Sequence, residues 1–101
     1  MNASASKLRD QALASIRARR ADALNRGVDL LGVVGSVARG DANPNSDVDV
    51  AYAIVGEPSL FDLGGILMDI QGDVGRSVDL VNLARVKPRF RAEMERDLVR
   101  A

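Results

Sequence analysis

The chain has 101 residues, 47% hydrophobic and 28% charged, with 14 basic residues against 14 acidic ones and neither cysteine nor histidine. A chain of this size predicts a single domain over residues 1–101 that buries only about 65% of its unfolded surface, so its core is modest. The missing residue types exclude disulfides, thiolate zinc sites and histidine general bases and leave carboxylates for acid/base and metal chemistry, while the balanced charge argues against direct nucleic-acid binding through phosphate neutralisation.

No apolar run approaches the ~20 residues that cross a bilayer, and Met1–Asp10 has no apolar signal-peptide core, so a cytoplasmic protein is expected. Ser4 to Arg26 reads as an amphipathic helix. Ala5, Leu8, Ala12, Ile16 and Ala23 share one face with Leu13 and Leu24 beside them, and Gly27 supplies the stop. Arg19 interrupts the apolar stripe, with a stem long enough to snorkel to the edge. Asp29 to Val34 is a short apolar run bracketed by glycines and reads as a buried strand.

Gly35 to Gly40 is then a turn into a brief helix, and Asp41 to Ser46 is a loop whose Asn43, Pro44 and Asn45 are turn formers. Asp47 to Val55 alternates as a strand, with Val48, Val50, Tyr52 and Ile54 on one side. Ser59 to about Gln71 has a helical pattern in which Leu60, Leu63, Leu67 and Ile70 share a face, weakened by Gly64-Gly65. Ser77 to Leu83 reads as a third strand with Val78 and Leu80 inward. Pro88 suits the first turn of a final helix, and Asp97 to Arg100 is either a short edge strand or the end of that helix. The fold class is α/β in the α+β sense, a mixed sheet of three to four strands with helices packed on it in the order α-β-α-β-α-β-α. Arg17, Arg19, Arg20 and Arg26 cluster early, and Arg85, Lys87, Arg89 and Arg91 late; both groups suit solvated helix faces, and either suits a partner surface or a phosphate contact.

The chemistry concentrates between Gly35 and Asp49. Gly35 and Ser36 stand where a strand gives way to a helix, so unpaired backbone N–H groups and a helix N-terminus favour phosphate there. The glycine lets phosphate approach the backbone, and the serine adds a hydroxyl donor. Asp47 and Asp49, two apart on a strand, point the same way about 6.7 Å apart, and two such carboxylates beside phosphate are the setting in which Mg²⁺ is bound. Asp79, between Val78 and Leu80, has the same parity. Three carboxylates on one sheet face can hold one or two ions, with Asp79 placed to accept a proton from an attacking hydroxyl. Singly, each feature has a plain alternative: Asp47 as a turn cap, Gly-Ser as a turn, Asp79 on a solvated strand face. Arg39 either pairs a phosphate or bridges to Asp41 or Asp47.

Gly35-Ser36, ten residues, then Asp47-Val48-Asp49 resembles the GSX10DXD signature of the DNA polymerase beta-like nucleotidyltransferase superfamily. The fuller string GSVARGDANPNSDVDVAYAI and the later SVDLVNLARVKPRFRAEMERDLV are similar to its minimal nucleotidyltransferase (MNT) group over about residues 28–100. The resemblance implies the nucleotidyltransferase fold, a triphosphate held by Gly35 and Ser36, and Mg²⁺ on Asp47, Asp49 and Asp79. It further implies an antitoxin paired with a HEPN-type RNase toxin in a hetero-oligomer. Such an antitoxin transfers AMP from ATP to a tyrosine of the toxin, or binds and masks it. The chain has no extra domain to grip a small acceptor such as an antibiotic, so a protein acceptor is the more natural one.

Overall fold

The computed structural model describes residues 3–101, with side chains from Ser6 onward, so the side chain of Ala5 lies outside the described residues. The leading helix, α1, runs Ala3–Asn25, and Gly27, at φ 88°, turns the chain out of it. Leu8, Ala12, Leu13, Ile16 and Ala23 are buried as their spacing requires, whereas Leu24 is exposed. Arg19 does not simply run its stem to the edge. It donates two hydrogen bonds to Asp73, at 2.9 and 2.7 Å, and the buried Ser15 hydroxyl donates a third at 2.7 Å.

Strand β1 (Val28–Val34) is followed at once by the five-residue helix α2 (Gly35–Arg39), then β2 (Val48–Ile54), α3 (Leu60–Val74) and β3 (Val78–Asn82). A single 3-10 turn at Leu83–Arg85 leads to α4 (Pro88–Asp97) and β4 (Val99–Arg100). Both readings of the last segment are therefore partly met: Asp97 ends the helix, and the next residues but one pair as an edge strand. The sheet is mixed, in the order β3-β2-β1-β4. β2 is antiparallel to β1 and parallel to β3, and α3 supplies the crossover that a parallel pair needs.

One sheet face packs on α1 and α3 around Leu30, Val33, Val48, Val50 and Val78, all buried. The α3 stripe departs from expectation. Ile66, Ile70 and Val74 are the buried positions with Leu63 and Leu67 half-buried, while Leu60 is 85% exposed. Leu60 opens the helix, immediately after the Ser59–Asp62 capping box that satisfies the first-turn donors, and that turn projects beyond the core. The helix also continues past Gln71 to a left-handed Gly75. Similarly Ile54, last in β2, is 46% exposed because the core ends before it. Among the described residues no helix is long and apolar enough to cross a membrane.

Candidate active site

Parallel pairing sets Val48 opposite Val78, Asp49 opposite Asp79 and Val50 opposite Leu80. Residues in direct register on adjacent strands share a face and stand about 4.8 Å apart. With Val48, Val50 and Val78 in the core, Asp49 and Asp79 are neighbours on the opposite face.

β1 completes the arrangement from the other side. Its last residue, Val34, pairs with Asp49, so Gly35 follows directly beside that aspartate. Gly35 has φ 72°, and a Cβ there would lie 2.5 Å from Asp49 Oδ2. The carboxylate thus occupies the space that glycine leaves open. Ser36, half-buried, is next in α2. With only five residues, α2 carries little macrodipole, and no side chain caps its start, so its first-turn N–H groups are what it can offer an anion.

The electrostatics of Asp49 record the crowding. Burial pushes its carboxyl up, the Asp79 and then the Asp47 carboxylates add to the rise, and Arg39 opposes it. The other three charged candidates therefore all act on this one carboxyl group.

Asp47 departs from expectation in its setting. It lies one residue ahead of β2, outside the strand ladder, and is exposed, yet its charge acts on Asp49. Its flanks are held from the turn before β3: the Val48 N–H donates to the Ser77 carbonyl at 2.9 Å, and Arg76 Nη1 donates to the Ser46 carbonyl at 3.0 Å. Among the described residues no three acidic side chains are gathered tightly enough to chelate a metal by themselves. Two carboxylates in register, with a third close enough to repel, nevertheless suit Mg²⁺. That ion takes one or two protein carboxylates and completes its shell with substrate phosphates and water.

Arg39 bridges to Asp41 at 3.2 Å, one of the two partners expected from sequence; its other partner is Asp97 in α4, at 3.0 Å, and not Asp47. Both acids raise the guanidinium's pKa, Asp97 more than Asp41. Sequence reasoning missed Asp97 and Arg76, the first because it lies 58 residues from Arg39, the second because it bonds only backbone carbonyls. A separate cavity of about 570 Å³, lined by Leu31, Leu83, Arg91, Leu98 and Arg100 among others, contains none of these residues.

Comparisons with known proteins agree with this fold. The family described as polymerase beta, nucleotidyltransferase matches residues 21–99. A solved structure provisionally described as a minimal nucleotidyltransferase is 32% identical, with a TM-score of 0.69 over 88% of this chain and 95% of that one. A search of curated proteins gave no significant match. The chain belongs to the polymerase beta nucleotidyltransferase family.

Proposed function

We propose that the chain is a Mg²⁺-dependent nucleotidyltransferase of the minimal group that moves AMP from ATP to a tyrosine hydroxyl of a HEPN-type RNase toxin, acting as its antitoxin. The observation that carries this reading is the contact of Asp49 with Gly35 on one side and its register with Asp79 on the other. A turn suited to phosphate and two carboxylates suited to a hard cation lie side by side, which supports this reading.

In this reading the N–H groups at Gly35 and Ser36 and the Ser36 hydroxyl orient the triphosphate. Asp49 and Asp79, with Asp47 beside them, would hold Mg²⁺ together with phosphate oxygens. Bound there, the ion neutralises charge on the phosphates and on the leaving group. The acceptor oxygen attacks the α-phosphorus, the bond from that phosphorus to the bridging oxygen breaks, and pyrophosphate leaves. The hydroxyl proton passes to Asp79, which is exposed and free to meet an acceptor. Arg39 reaches a phosphate by exchanging its bond to Asp97 or Asp41.

A second reading, inhibition by masking alone, is favoured by one observation. Leu60, Phe61 and Met68 on α3 are 85%, 91% and 71% exposed, an apolar surface of the kind that marks protein contacts. Transfer of label from [α-³²P]ATP to the co-expressed toxin separates the two. Asp49→Asn is expected to lower transfer at least 100-fold and abolish neutralisation while the protein still binds the toxin. Full neutralisation by that variant without labelling supports masking, and undiminished labelling rejects the catalytic assignment.

A further inference from the structure

We propose that Arg76 is a positioning residue that holds Asp47 beside the Asp49–Asp79 pair and thereby sets the affinity for the divalent cation. This rests on the nucleotidyltransferase reading of the three acids.

Asp49 and Asp79 are fixed by the sheet, one in each of two paired strands. Asp47 precedes β2 and has no place in the ladder, so its position must come from elsewhere. The segment before it is a hydrogen-bonded block. The Asn43 N–H donates to Ser46 Oγ at 2.9 Å, the Asn45 N–H to Asn43 Oδ1 at 2.8 Å, and the Ser46 N–H to the Asn43 carbonyl at 3.0 Å. One atom, Arg76 Nη1, donates to both ends of that block, the Asn43 and Ser46 carbonyls, each at 3.0 Å.

Arg76 stands in the turn between α3 and β3, three residues before Asp79. The turn is anchored in its own right: the Gly75 N–H closes on the Gln71 carbonyl, and Gln71 Oε1 accepts from the Val78 N–H. The same turn thus leads into Asp79 and, through one guanidinium, locates the residue preceding Asp47. Without Arg76 the block keeps the Val48–Ser77 bond as its tie to this turn. Asp47 is then free to swing away, and a cation held by Asp49 and Asp79 loses the attraction of the third carboxylate beside them.

The test is Mn²⁺ binding, followed by electron paramagnetic resonance, to the full chain with a non-hydrolysable ATP analogue. Arg76→Met is expected to weaken Mn²⁺ binding by about tenfold, the lower range for losing a residue that orients a ligand. Arg76→Lys, which still donates to both carbonyls, is expected to recover most of that. The decisive comparison is with Asp47→Asn: the double variant binds no more weakly than Asp47→Asn alone, because Arg76 acts through Asp47. Wild-type affinity in Arg76→Met, or losses that add in full, overturns the inference while leaving the nucleotidyltransferase reading intact. If the wild type itself binds no Mn²⁺, both fall together. Should Arg76→Met fail to fold, Arg76→Gln carries the same comparison.

Discussion

Gly35 is required twice over. Its φ of 72° is a left-handed conformation that costs another residue about 1–2 kcal/mol, and a Cβ there would drive into the Asp49 carboxylate. Gly35→Ala is therefore expected to lose about that much stability and, because it displaces Asp49, to lower label transfer at least tenfold. Thermal melts and transfer assays on the same preparation check both, and full activity in Gly35→Ala contradicts the placement. Gly35, Ser36, Asp49 and Asp79 were legible in sequence because each belongs to a local pattern, a strand-to-helix turn or an alternating strand. Asp47 was half legible. The two-residue spacing is correct, yet the strand starts one residue later, at Val48, because the Asn43–Ser46 turn holds the preceding chain. Arg76 was not legible, since its partners are backbone carbonyls and any residue type supplies those.

Between elements, the tie that joins α1 to α3 is the Arg19–Asp73–Ser15 cluster. The Arg19 guanidinium and then the Ser15 hydroxyl hold the Asp73 carboxyl down to about 2. An acid whose folded pKa is depressed contributes stability that is present above its unfolded value, near 4, and is lost as pH falls through the folded one. Wild type is thus expected to lose more stability than Asp73→Asn between about pH 4 and pH 2, and to be the more stable of the two at neutral pH. Urea melts across that range measure the difference, and a gap independent of pH contradicts the assignment. The periodicity of α1 identified its buried face but not this tie, because Asp73 sits 54 residues from Arg19. In α3 the helix itself was legible and its buried face only in part. Leu60 fits the period, but a first-turn residue past the edge of the core has nothing to pack against. β4 is two residues long, too short to carry any period. Its pairing depends on Gly32, where a side chain would collide with the Val99 carbonyl oxygen.

At the scale of the whole molecule, the parallel β2–α3–β3 unit is what turns two distant aspartates into neighbours. Parity predicted that Asp49 and Asp79 each point away from the core. It did not determine that β3 lies next to β2, which is a property of strand order. Bringing them together has a cost visible in Asp49, whose ionised form is opposed by burial and by both neighbouring acids. Its folded pKa lies above its unfolded one, so the ligand-free protein loses stability as pH rises from the unfolded value through the folded one. A cation shared by these carboxylates relieves that repulsion. The most direct measurement is thermal unfolding of wild type, Asp49→Asn and Asp79→Asn with and without Mg-ATP near neutral pH. At ~100 times the dissociation constant a ligand stabilises by about 2.7 kcal/mol, on the order of 10 °C or more for a domain of this size. The account predicts that shift in wild type, none from ATP without Mg²⁺, and little or none in either variant, with unliganded Asp49→Asn at least as stable as wild type. An undiminished Mg-ATP shift in both variants, or no shift in the wild type, would contradict it.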